Sequence, residues 1–153
     1  MGCRSWGRMS VVLSLALGLT GLIASTADAM PTVIRVELAG NSTDMQMNGM
    51  AIRANPSTLQ PGQVTFDVIN LSKDLTHEMV LIRLDDPRDQ LPYNRDNDEV
   101  REDSTVRLGE VSDLPPGGHG SMTLTLTPGL YMLICNQSGH YRAGMHTVLA
   151  VGH

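Results

Sequence analysis

Cys135-Asn136-Gln137-Ser138-Gly139-His140-Tyr141-Arg142-Ala143-Gly144-Met145 sets a thiol, an imidazole and a thioether on one short loop. The loop lies between two apolar, strand-like runs, Leu130 to Cys135 and His146 to Val151. Cysteine and histidine bind divalent transition metals, and methionine adds a soft, weak ligand. Two histidines and one cysteine in a plane, with a long axial Met, hold copper for one-electron chemistry. The loop carries only one histidine, so the second must come from elsewhere in the chain.

The rest of the chain predicts strands. Thr32–Ala39 alternates and is rich in β-branched residues. Ala51–Ala54 is a short strand, and Gln63–Asn70 sets Val64, Phe66 and Val68 on one face. His77–Leu84 follows, and Ser121–Thr127 turns Met122, Leu124 and Leu126 inward. Pro-Gly pairs at 61–62 and 128–129, and Pro-Pro-Gly-Gly at 115–118, mark turns. No amphipathic helix stands out. Short strands with turns at this spacing predict an all-β fold, a Greek-key β-sandwich of about seven to eight strands. Between Asp85 and Arg107 the chain carries eight acidic residues, four arginines and two prolines. This acidic insertion, 85–107, reads as a solvated surface loop with at most one irregular helical turn.

The N-terminus has its own pattern. Arg4 and Arg8 precede the apolar run Val11–Ile23, and Ala27-Asp28-Ala29 offers small residues at a cleavage site. That is a secretory signal peptide over 1–29, leaving a single domain over 30–153 in the periplasm. The apolar run is short for a span of about 20 residues, so no membrane insertion is expected after cleavage. The whole chain carries a net charge of −5. Loss of Arg4, Arg8 and Asp28 leaves it slightly more acidic, with Lys73 its one lysine, which disfavours nucleic acid as a partner. Cys3 leaves with the leader, so Cys135 stands alone and has no partner for an intramolecular disulfide.

Of the five histidines, His77 opens a strand directly after the polar turn Ser72–Thr76. In a sandwich the strand ends gather at one pole, where His77 can meet the loop after Cys135. At this point the chain resembles the cupredoxins, the small blue-copper proteins. The resemblance rests on Val64–Asn70, His77, Pro128-Gly129-Leu130-Tyr131, and Cys135-Asn136-x-x-Gly139-His140-Tyr141-x-x-Gly144-Met145. It implies one copper held by His77, Cys135 and His140 in the trigonal plane, with Met145 axial. With four ligands no position stays open for substrate, so no enzyme activity is expected. The chain departs from the pattern at Glu78, where many electron-carrying cupredoxins have Asn or Ser to brace the cysteine loop. An ionised carboxylate donates no hydrogen bond, so a loosened, tetragonally distorted and greener site is expected.

Met45-x-Met47-x-x-Met50 is the second feature. Three thioethers in six residues suit a secondary cuprous site; alternate methionines equally suit a buried edge strand. His146 is expected to point away from Met145, His119 to lie in a turn and His153 at a free end. The exported single domain with its methionines looks like the CopI-type copper-tolerance cupredoxins of bacterial periplasm. The reading favours a monomer handling copper, with a copper-export component or redox protein as partner. The alternative is a soluble carrier of single electrons.

Overall fold

The computed structural model describes Met1, residues 30–47 and residues 49–152, with the backbone alone at 46 and 47. The leader, Cys3, His153 and the Met47 side chain lie outside the described residues. The strands are β1 (Thr32–Ala39), β2 (Ala51–Asn55), β3 (Thr58–Leu59), β4 (Gly62–Asn70), β5 (His77–Leu84), β6 (Tyr93–Asn94), β7 (Glu99–Val100), β8 (Val106–Leu114), β9 (His119–Leu126), β10 (Gly129–Ile134) and β11 (His146–Val151). They form a four-stranded sheet ordered β2-β1-β4-β9 and a five-stranded sheet ordered β3-β11-β10-β5-β8. The small β6–β7 hairpin stands apart from both.

The two large sheets close over one core, as the alternation predicts. β1 runs parallel to β4 with Ile34 beside Phe66 and Val36 beside Val68. These side chains are fully buried and meet Met79, Leu81, Tyr131, Leu133 and Leu149 from the other sheet. Each such aliphatic or aromatic side chain contributes about 1.5–3 kcal/mol by leaving water. The expected sandwich is therefore present, and eight of its strands have five residues or more.

β5 explains the unbroken apolar run Met79-Val80-Leu81-Ile82. Met79 and Leu81 face the main core. Val80, Ile82 and Leu84 face the other way, into a second cluster with Met132, Ile134, Leu91 and Val100. Leu91 and Val100 belong to the acidic segment. The reading of 85–107 as a solvated loop holds for most of the segment but not for Leu91 and Val100, which are pinned onto the outer face of a sheet. One turn of 3-10 helix, Glu102–Ser104, completes the segment.

β8 was not foreseen. It pairs along β5 with register shifts, and only Val111 and Leu114 are buried. A Cβ on Gly109 in its middle would meet the Met122 sulfur, which would have to move aside. A glycine and exposed polar residues erase the alternation that marks a strand.

Candidate metal centre

The polar turn before His77 is built around Asn70, the last residue of β4. Its buried amide donates to the carbonyls of Leu75 (2.9 Å) and Leu114 (2.8 Å), and accepts the Ser72 N–H (2.8 Å). Asn70 is fully buried, so the turn is fixed from inside and delivers His77 at the pole. Sequence reasoning passed over this role; the signal was an Asn ending an alternating strand. β10, the neighbour of β5 in the same sheet, leads into Cys135. The loop from Asn136 to Gly144 then returns to Met145, whose carbonyl accepts the Cys135 N–H at 3.0 Å. The Met145 N–H donates to the His140 carbonyl, also at 3.0 Å. Gly139 and Gly144 hold φ values of 80° and 95°, where other residues are strained.

His77, Cys135 and His140 come together, and all three are buried. Cys135 Sγ lies 3.3 Å from His140 Nδ1 and 3.9 Å from His77 Nδ1, and the two Nδ1 atoms are 3.2 Å apart. A point equidistant from these atoms is about 2 Å from each, the length of a metal–nitrogen bond. Met145 is fully buried, in the same core cluster as Cys135.

The tautomer of His77 is set by its far side. Nε2 lies 3.0 Å from the Gly40 carbonyl, which only an N–H can satisfy, so Nδ1 keeps its lone pair for the centre. Gly40 is itself required, because a Cβ there would run into Met50. Burial lowers the His77 pKa, against the Gly40 bond that raises it. Burial, with His77 beside it, pushes His140 down to about 4. Burial pushes the Cys135 thiol up to about 12, against the N–H groups of Glu78 and Gln137 that point at the sulfur. Without a metal the three groups are thus a neutral thiol and two neutral imidazoles. A cation among them removes the thiol proton and gives the facing lone pairs something to bind.

Solved structures share this fold. Reduced auracyanin of the photosynthetic bacterium Roseiflexus castenholzii is 19% identical, covering 82% of this chain and 99% of its own, with a TM-score of 0.54. Auracyanin A of the green thermophilic photosynthetic bacterium Chloroflexus aurantiacus, a blue copper protein, is 19% identical, covering 80% and 100%, with a TM-score of 0.56. Auracyanin B is 23% identical, covering 82% and 92%, with a TM-score of 0.51. The fold is that of a cupredoxin. No protein-family model matches the chain, and no curated relative does. On this cupredoxin fold the set His77, Cys135, His140 and Met145 fits one type 1 copper centre.

Glu78 does brace the cysteine loop, by accepting. Its Oε1 takes the Asn136 N–H at 3.1 Å, and its own N–H points to Cys135 Sγ at 3.5 Å. The ground for expecting a loosened, greener site falls away, because the brace needs an acceptor where the loop presents an N–H. Burial, with Glu102 nearby, pushes the Glu78 carboxyl up to about 7.

The methionines separate. Residues 42–47 form a 3-10 helix, not an edge strand. Met50 is 3% exposed and belongs to the main core. Met45 is half-buried with its methyl against Gly139 of the ligand loop, close enough that a Cβ at Gly139 would sit 3.2 Å away. His146 faces away from the centre, its ring tilted at 41° against Tyr141 with centroids 5.0 Å apart. His119 opens β9 on the surface.

Proposed function

We propose that this protein binds one copper at His77, Cys135, His140 and Met145 and carries single electrons by cycling between Cu(I) and Cu(II). The observation behind it is the convergence of two Nδ1 atoms and one Sγ within 3.2 to 3.9 Å of one another. Copper, when bound, supplies the redox couple; the protein supplies a donor set suited to both charges, so little has to move when the electron comes or goes. The anchored tautomer of His77, the paired backbones of Cys135 and Met145 and the Glu78 brace all serve that rigidity. His140 is 5% exposed, and its ring edge is the route by which an electron reaches the surface. Four protein donors leave no position for a substrate, in keeping with a carrier rather than an enzyme. We place the protein outside the cytoplasm, on the strength of the 1–29 leader pattern, with a redox protein as partner.

A second reading, copper tolerance of the CopI type, draws on Met45, whose thioether chain lies at the ligand loop. It loses Met50, which is occupied in the core. Electron transfer is therefore the better supported of the two. A deletion strain separates them: poor growth at low copper through impaired electron flow supports the carrier, whereas hypersensitivity to added copper with normal electron flow overturns it in favour of tolerance.

A further inference from the structure

The ligand loop spans nine residues between Cys135 and Met145 and, with its two ends, carries three of the four donors. Its own backbone bonds close it only locally, as from His140 N–H to the Gln137 carbonyl and from Ala143 N–H to the Gly139 carbonyl. Its outward bonds go mostly to one place, the acidic segment that follows β6. Asn136 is 9% exposed and its amide is fully used. Oδ1 accepts the Val100 N–H at 2.7 Å, while Nδ2 donates to the Val100 carbonyl at 3.0 Å and to Glu102 Oε1 at 2.8 Å. The side chain thus pairs with β7 as a neighbouring strand would. Further along, the Gly139 N–H donates to the Asp98 carbonyl at 2.8 Å and Ser138 Oγ to the Asn97 carbonyl at 2.8 Å. Arg142 reaches the Asp98 carboxylate at 3.1 Å.

The hairpin can act as a clamp because it is itself anchored. Val100 and Leu91 are buried against Val80, Ile82 and Ile134. Glu102, which takes the Asn136 amide through one oxygen, is held through the other by Arg107 Nε at 2.8 Å. Arg107 belongs to β8, next to β5 in the sheet. The ligand loop is thereby tied through the hairpin to the sheet that carries both His77 and Cys135.

We infer that Asn136, clamped by the β6–β7 hairpin, is a positioning residue of the copper centre: it fixes the stretch between Cys135 and His140 and so sets the metal affinity and electronic signature of the site. This rests on the copper reading above. The hairpin's task is then internal, to hold the metal loop in its bound shape before the metal arrives. Groups that orient ligands in this way typically change metal affinity by about 10–100-fold when removed.

The test uses the mature protein titrated with Cu(II) against a competing chelator, with the absorption and electron paramagnetic resonance spectra recorded at saturation. Asn136→Ala is expected to bind copper about 10–100-fold more weakly, with an altered copper hyperfine splitting and a shifted thiolate-to-copper band. Glu102→Ala, which removes one of the three bonds at a half-buried position, is expected to move both readouts the same way by less, and it serves if Asn136→Ala does not fold. Val64→Ala, in the main core near the start of β4 and away from Asn70 at its other end, is expected to lower stability and leave the spectra unchanged. Wild-type affinity and spectra in Asn136→Ala, or in Glu102→Ala where the first variant does not fold, overturn the inference while the copper reading stands. Spectral changes in Val64→Ala equal to those in Asn136→Ala also overturn it, since loss of stability would then account for both. Absence of a coloured copper site in the wild type overturns the copper reading itself.

Discussion

The Glu78 carboxylate accepts the Asn136 N–H at 3.1 Å, and these two residues directly follow the candidate metal donors His77 and Cys135 in sequence. One hydrogen bond therefore ties the start of β5 to the end of β10 at the point where the metal donors meet. The Glu78 N–H completes the link by pointing at the Cys135 sulfur.

Removing that carboxylate frees the loop while leaving every donor in place. Glu78→Ala is expected to bind copper but to gain short-wavelength absorption at the expense of the red band, the mark of a distorted site. Glu78→Gln keeps an oxygen that can accept the Asn136 N–H and is expected to keep the wild-type spectrum. Identical spectra for wild type and Glu78→Ala would show that the brace does not shape the site.

Acid sensitivity of the metal-free protein follows from two opposed groups. His140 is pushed down from 6.5 to about 4. As pH falls from 6.5 towards 4 the unfolded chain gains a proton that the folded chain does not, so His140 weakens folding over that window. Glu78 is pushed up from 4.5 to about 7. It keeps its proton in the folded chain between those values, so it weakens folding as pH rises from 4.5 to 7. The two oppose each other between 4.5 and 6.5. Glu78→Gln removes one of them, and the metal-free variant is expected to lose stability on acidification from pH 6.5 to 4.5 more steeply than wild type. Urea denaturation at the two pH values checks this; equal slopes for variant and wild type would refute it.

The two described methionine side chains of the 45–50 segment are expected to behave differently. Met50→Ala empties a core position and is expected to cost about 2–5 kcal/mol in urea denaturation. Met45→Leu retains the packing against Gly139 and is expected to change stability by well under that while removing a thioether. If Met45→Leu leaves cuprous stoichiometry unchanged, Met45 is a packing residue; a lost equivalent of Cu(I) would revive the copper-tolerance reading.

The centre was legible because its chemistry is written locally. Cys135, His140 and Met145 share one loop, and His77 announces itself by opening a strand after a polar turn. The sandwich was legible where one face is buried, as in Val64-Thr65-Phe66-Asp67-Val68. β8 was not, because an edge strand with Gly109 in its middle buries too little to alternate. The hairpin's docking was hidden for a different reason. Leu91 and Val100 are isolated apolar residues among eight acidic ones, and only the doubly buried β5 shows that something must cover its outer face. The Glu78 brace depended on a direction: whether the loop offers a donor or an acceptor there is decided by the backbone at Asn136, which no pattern of residue types reports.

The central claim is a copper–thiolate bond at Cys135, and its most direct measurement is a titration of the purified, metal-free mature chain with Cu(II), followed by visible absorption, in wild type and in Cys135→Ser. The account predicts an intense band that saturates at one copper per chain in the wild type, bleaches on addition of one electron and returns on reoxidation, and is absent from Cys135→Ser. An intense band that persists in Cys135→Ser, or none in the wild type, would contradict it.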